Sequence, residues 1–490
     1  MASEHSLTRN TLLLTLSGAI EFGLQFAIPM IFVRQLDPAT FGQYRLMWLM
    51  AATALALGPA FMPQSLYYFL PRAAPDQQRV YIGNVLAWLA LAGCVLAFAA
   101  SGLNPWLPDK VLRLFSASHG LSSLFLLCWV VASIMTALPT AEGRVRWQFG
   151  ADLTVAFLRT GMLAAAAIFT QDIAWVVAAM LGEALLRIGM GVAYLMTRPG
   201  GGRITPHVRA LATQLRYAFP FALGNGLFLL RGQADQWVAA ALLPTAAFGM
   251  FSIGAVVLPF ITLVRQPINN VMMPRLNKAF ADGDLGAIRG LLRTSSTALT
   301  LGLVPLAGVL VCVAPQLVEI VYTGHYAPAV PVMRIYLLGM MMQALATGYL
   351  LPALERGRFA AANNACCLAL SIAASIAGAR LWGLPGAACG SVLAFAVSEA
   401  WSLRVVAHTL HAPALGLLPW RTLVPCGLGS VLAMGAVLLV QDRLAGGALT
   451  LLLTKSLVFL VVFAPVFFAA GGRAQLRLLL GARMGERGLA

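Results

Sequence analysis

A chain of 490 residues that is 60% hydrophobic and only 10% charged has no stretch polar enough for a soluble domain. This excludes a soluble enzyme and leaves a polytopic membrane protein. Its formal net charge of +16 describes a basic surface against anionic lipid and gives no reason to invoke nucleic acid. Apolar windows of about 20 residues, enough to cross roughly 30 Å of hydrocarbon, recur from one end to the other. They begin near Thr11, Leu46, Tyr81, Leu121, Ala151, Ile173, Leu215, Phe248, Thr297, Val330, Ala360, Gly386, Leu423 and Leu449. These windows are continuous and rich in Ala, Leu and Gly, so they read as about 14 transmembrane helices and not as alternating barrel strands.

The first window, "NTLLLTLSGAIEFG", contains Glu21 and is followed by no convincing small-residue cleavage site, so an uncleaved span is expected. With both termini placed in the cytoplasm, 22 of the 33 Lys and Arg fall on the inner side. Seven face out, Arg34, Arg45, Lys110, Arg113, Arg334, Arg380 and Arg443, and four lie within spans, Arg159, Arg187, Arg231 and Lys455. A missed helix would reverse every later loop and destroy this bias, so the even span count and the orientation support each other. The seven cysteines all lie in or beside spans, where Cys acts as a small apolar residue, and imply neither a disulfide framework nor a metal site. Tyr67, Tyr68, Trp106 and Trp420 fall near span ends and read as interfacial anchors.

The chain also repeats itself. Phe41-Gly42 and Phe248-Gly249 each precede an apolar span closing in Pro-Arg, at Pro71-Arg72 and Pro274-Arg275. Five helices into each half, "GEALLR" holds Glu183 and Arg187 while "SEAWSLR" holds Glu399 and Arg404. A six-plus-six duplication with two appended helices follows. Because six is even, the two lobes would run parallel, related by a pseudo-two-fold axis along the bilayer normal. The expected boundaries are a first lobe over 1–198, a Gly-rich cytoplasmic linker over 199–214, a second lobe over 215–410, and two further spans with a basic tail over 411–490. The sequence "RPGGGRITPHVR" from Arg198 would let such lobes rock.

Charges inside spans need a reason, since one at the centre of a lone helix costs on the order of 2.5 to 3.5 kcal/mol. At about 1.5 Å of rise per residue, Glu21 lies ~15 Å into the first span, Arg159 ~12 Å into the fifth and Glu183 ~15 Å into the sixth. Lys455 lies only ~9 Å from the end of the last span and could snorkel. Glu183 and Arg187 have the favoured acid-first i, i+4 order of a structural ion pair. Arg159 has no acid in its own span, so it faces either a cavity or Glu183. Arg231 and Asp235 stand one helical turn apart on a long span bent near Pro220. The segment around Lys278 to Arg293 has Leu285, Ile288, Leu291 and Leu292 at helical spacing, which suits a helix lying along the membrane or an ordinary linker helix. No Asp-rich metal motif, His/Cys cluster, nucleophile motif or phosphate-binding Gly loop is visible, so no cofactor, metal or catalytic residue is expected.

Five segments in order, "FGQYRLMWLM", "ADQWVAAALLPTAAFGMFSIGAVV", "MMPRLNKAFADGDLGAIRGLLR", "YTGHYAPAVPVMRIYLL" and "GLPGAACGSVLAF", make the chain resemble the polysaccharide or O-antigen flippases. Their superfamily also holds the lipid-linked peptidoglycan precursor flippases and the multidrug and toxic compound extrusion antiporters. The resemblance covers nearly the whole chain, with one departure: the seventh span often has Asp-Arg where this chain has Asp235-Gln236.

It implies a multi-pass protein of a bacterial inner membrane that moves a lipid-linked oligosaccharide by alternating access, and no enzyme. It implies that the first two helices of each half line a partly cationic cleft, which favours Glu21, Arg34, Arg45, Arg231 and Asp235, with Arg159 a further candidate. Glu183, Arg187, Glu399 and Lys455 would then be structural charges. The resemblance leaves open whether a coupling cation, H+ or Na+, takes part, and membrane lipids, a polysaccharide polymerase and glycosyltransferases would be the partners. The alternatives are an ion-coupled drug/cation antiporter, which would carry more cavity acids, and a membrane polysaccharide polymerase or ligase, for which the longest outward loop is too short.

Overall fold

The computed structural model describes residues 2–105, 119–197, 204–345 and 347–475. Lys110, Arg113, Trp106, the linker's "RPGGGR" and the basic tail from residue 476 lie outside the described residues. Every regular element among the described residues is a helix, and the chain divides into two compact units, Met1–Gln233 and Ala234–Ala490. Among the described residues, ten helical segments are long and apolar enough to cross a membrane, and two shorter apolar helices, Thr245–Val257 and Ala329–Gln343, accompany them. The protein is a multi-pass, all-α membrane protein.

In the first unit, α1 (Ala2–Gln35) is followed by α2 (Pro38–Leu57), α3 (Met62–Phe69), α4 (Pro75–Ala99), α5 (His119–Ala132), α6 (Val145–Phe169), α7 (Ile173–Met196) and α8 (Val208–Arg231). The turn from α1 to α2 is sharp because Asp37 caps α2. Its carboxylate accepts from the amides of Ala39 (2.9 Å) and Thr40 (3.1 Å) and from the Thr40 hydroxyl (2.6 Å), with Pro38 preset at the first helical position. α1 packs on α6, α6 on α7 and α7 on α5, which places three charge-bearing helices side by side.

α8 packs on α2, α3 and α4 through a buried amide network. Asn84 donates to Gln214 at 2.9 Å and accepts from the His207 amide at 2.8 Å. A Cβ on Gly83 would stand 3.0 Å from Thr205, so residues 204–207 run directly against α4.

The second unit comprises α9 (Ala234–Leu242), α10 (Thr245–Gly254), α11 (Leu258–Ala281), α12 (Leu285–Tyr322), α13 (Ala329–Gln343), α14 (Gly357–Thr409), α15 (Trp420–Val440) and α16 (Ala448–Ala469). α14 is two helices folded back at Gly383, whose φ of +63° only glycine adopts without strain. A Cβ on Gly386 would fall 1.9 Å from the Gly378 carbonyl, so bare glycine lets the two halves touch backbone to backbone. The two expected spans from Ala360 and Gly386 are these two halves.

One expectation is corrected here. The segment around Lys278 to Arg293 forms neither a membrane-surface helix nor a separate linker helix. α11 ends at Ala281, the chain turns at Gly283 (φ +68°), and α12 starts at Leu285, capped by Asp284 accepting from the Ala287 amide at 2.8 Å. Ile288 and Leu292 are buried in a cluster with Met272, Leu276, Val406 and Leu410. Their apolar face is taken up by protein, which leaves nothing to lay on lipid.

Candidate functional site

The first unit gathers four charges from three helices. Arg159 on α6, Glu183 and Arg187 on α7, and Glu21 on α1 form a closed square in which each arginine meets both glutamates. Arg159 Nη1 lies 3.6 Å from Glu21 Oε1 and 3.5 Å from Glu183 Oε1. Arg187 reaches the same two atoms at 3.6 and 3.5 Å, the second contact being the i, i+4 pair.

Burial is unequal: the side chains of Arg159 and Glu183 are 2% and 1% exposed, Arg187 is 14% exposed, and Glu21 is 30% exposed. Two cations and two anions at these separations offset one another's desolvation, which is why α6 can carry an arginine in mid-span. The contacts are nevertheless longer than hydrogen bonds. Nε and Nη2 of Arg159, Nε of Arg187 and Oε1 of Glu183 are buried and make no hydrogen bond. The square is neutral in charge but unsaturated in donors.

Its surroundings add residues the sequence did not single out. Gln148, about three turns before Arg159 on α6, donates to both oxygens of Asp152 at 2.9 Å, and Asp152 lies within electrostatic reach of Arg187 and Glu21. The seven-residue spacing of Asp152 and Arg159 puts both on one face of α6, a signal that could have found it. The Arg187 guanidinium lies 5.7 Å from the ring centroid of Trp129 on α5, and Trp129 packs against Trp48 and Phe125. Nothing in the local sequence ties Trp129 to Arg187. Only packing of α5 on α7 does.

The remaining candidates are elsewhere. Arg34 is exposed in the last turn of α1 and donates back to the Met30 carbonyl at 2.6 Å. Arg45 lies partly buried on α2. Arg231 ends α8, its guanidinium 5.5 Å from the Phe228 ring centroid.

Asp235 does not share a helical face with Arg231. The chain turns at Gly232 and Gln233, and a new helix starts at Ala234, so the four-residue spacing carries no i, i+4 relation. Asp235 is buried instead among α9, α13 and α14, accepting from the Tyr336 hydroxyl, from the Gln236 amide at 2.8 Å and from Ser391. Glu399 accepts from the amides of Thr347 and Gly348 at 2.9 and 3.2 Å, satisfying backbone donors shortly after α13 ends. Lys455 does not snorkel: it is buried, and its ammonium donates to Gln316 at 3.4 Å, because α16 packs its mid-length onto α12. Among the described residues no group of three or more His, Cys, Asp or Glu could hold a metal ion.

Comparisons with known proteins agree with this architecture. A family model described as "Polysaccharide biosynthesis protein" matches residues 7–280. Among solved structures, the lipid II flippase MurJ in an inward closed conformation superposes with a TM-score of 0.67 at 12% identity, over 95% of this chain and 100% of that one. An inward-facing multidrug resistance MATE family transporter of the MOP superfamily superposes with a TM-score of 0.60 at 13% identity, over 82% and 98%. A MOP superfamily transporter from Pyrococcus furiosus, described as having reverse polarity of its binding pocket, gives 0.55 at 10% identity, over 83% and 95%. At these identities the likeness is one of fold. No curated protein resembles the chain closely enough in sequence to count as a relative.

Proposed function

Because the chain belongs to the polysaccharide biosynthesis protein family, we propose that it flips a lipid-linked oligosaccharide across a bacterial inner membrane for surface polysaccharide assembly, without catalysing a covalent step. The substrate's sugars and diphosphate cannot cross hydrocarbon unaided, whereas its prenyl tail can stay in the bilayer. A carrier for it needs polar side chains held at membrane depth that can contact an anion.

The observation that carries the reading is the charged square. Two arginines on α6 and α7 hold buried donors that make no hydrogen bond to the protein, beside a half-open carboxylate on α1. Guanidinium forks match phosphate oxygens in geometry and charge. A drug/cation antiporter of the same fold would instead present acids without basic partners, and both acids of this square face arginines. Alternating access would expose the square to one leaflet at a time, and both termini would lie in the cytoplasm.

The test is removal of the protein from its host. The lipid-linked oligosaccharide should accumulate on the cytoplasmic leaflet, and expression of Arg187→Gln should restore less than a tenth of the surface polysaccharide that the wild type restores. Normal surface polysaccharide in the deletion strain would overturn the reading.

A further inference from the structure

The four charges of the square are not equivalent, and the difference points to how the arginines become available. Glu183 is fixed: it is 1% exposed and lies on the same helix as Arg187, one turn away. Arg159 is equally enclosed. Glu21 comes from α1, which carries no other member of the square, and at 30% its side chain is the most exposed of the four, against 14% for Arg187 and 2% for Arg159. It is therefore the one member that can turn toward a polar environment without a buried charge having to move.

Both arginines touch Glu21 through a single oxygen, Oε1, at 3.6 Å, which is outside hydrogen-bond range. Two guanidinium nitrogens, Nε and Nη2 of Arg159, are buried without a hydrogen-bond acceptor, and Nε of Arg187 has only Glu183 Oε1, at 3.5 Å. One carboxylate oxygen cannot saturate two guanidinium forks, whereas the several oxygens of a diphosphate can. Charge agrees with geometry. The four charges of the square sum to zero with Glu21 in place and to one positive charge with Glu21 turned away, and Asp152 stays within reach of Arg187 in both states, so turning Glu21 away shifts the site toward an anion.

We propose that Glu21 is a displaceable internal ligand, whose carboxylate occupies the Arg159–Arg187 pair until a diphosphate group takes its place. This rests on the reading of the substrate as a lipid-linked diphosphate. Glu21 thereby keeps two buried cations compensated while the carrier is empty. It also releases an anion after translocation by returning to the pair. Because the competitor is tethered to the protein, it weakens apparent affinity by the fraction of time the pair is closed: a pair closed nine times in ten binds about tenfold more weakly than its intrinsic value.

The experiment uses the full chain in lipid nanodiscs, with farnesyl diphosphate as the probe and calorimetric titration as the readout. Glu21→Gln should bind farnesyl diphosphate at least about tenfold more tightly than the wild type. Glu21→Asp, which keeps the competing charge, should show no such gain, and Arg187→Gln should lose binding. Thermal melts of each variant identify any that fail to fold, and Glu21→Asp then carries the comparison with an added Glu21→Ala. If the wild type binds the probe but neither neutral variant at position 21 binds more tightly, the displaceable-ligand inference is overturned while the flippase reading stands. If neither the wild type nor any folded variant binds it, the anionic-lipid reading falls and takes this inference with it.

Discussion

Replacing Arg159 by Met separates the stabilising role of the charged square from the transport role proposed for it. The substitution keeps an unbranched apolar stem of similar reach but removes the guanidinium that lies 3.5 Å from Glu183 and 3.6 Å from Glu21. Removing one partner of a buried ion pair costs roughly 3 to 5 kcal/mol, because the other charge stays behind uncompensated. Here the cost should sit near the lower limit, about 3 kcal/mol, for two structural reasons: Glu183 keeps Arg187 at 3.5 Å, and Glu21 is 30% exposed and can take solvent instead. The double variant Arg159→Met, Glu183→Leu removes both buried members, and replacing a buried pair by apolar side chains is often neutral or stabilising. It should therefore recover most of the lost stability while remaining inactive in flipping, since the guanidinium fork proposed to bind phosphate is gone. Thermal unfolding of the purified protein, with flipping of a prenyl-diphosphate-linked oligosaccharide in proteoliposomes, measures both. A double variant as unstable as Arg159→Met alone would refute the reasoning, because Glu183 would then not be the stranded charge.

Other expectations concern the frame that holds the square. Tyr336→Phe removes a buried donor to Asp235 and should destabilise the protein by about 1–3 kcal/mol, seen in the same thermal melts. Lys455→Met replaces a buried ammonium whose acceptor Gln316 lies 3.4 Å away and should leave stability unchanged or raised, since burying an apolar chain of that length avoids the desolvation of a charge. Gly386→Ala would set a Cβ 1.9 Å from the Gly378 carbonyl, so the halves of α14 must part, and the yield of folded protein should drop sharply. Asp37→Ala should cost about 1 kcal/mol through loss of the α2 cap. Burial tends to raise the Asp37 carboxyl, but hydrogen bonds from the Thr40 hydroxyl and the Thr40 and Ala39 amides outweigh it and hold it below the usual aspartate range. Its stabilisation is therefore complete above that range and is lost as pH falls through the lowered folded value. A melt series into acid should show the wild type losing its advantage over Asp37→Ala in that window.

Much of the architecture is written in the chain itself. Hydrophobic length is a one-dimensional property, so the windows from Ala360 and Gly386 are visible even though they fold into one hairpin at Gly383. The acid-first pair Glu183 and Arg187 is likewise local, fixed by helical period alone. The sequence also marks Glu21 and Arg159 as expensive at their depth, because the cost of a charge in hydrocarbon depends only on where it sits along a span.

What it does not contain is the partner of each. Only the packing of α1 on α6 and of α6 on α7 converts four separately costly charges into one neutral square. Arg231 and Asp235 stand four residues apart in sequence, but a turn at Gly232 ends the helix between them, and it is Tyr336 that donates to Asp235. Lys455 lay near enough to a span end to snorkel, yet α16 presses it against Gln316. Ile288 and Leu292 look like a membrane-facing stripe, and α11 and α14 bury them. In each instance local spacing sets what a side chain could reach within its own helix, while the helix packed alongside, chosen by long-range contacts, sets what it does reach.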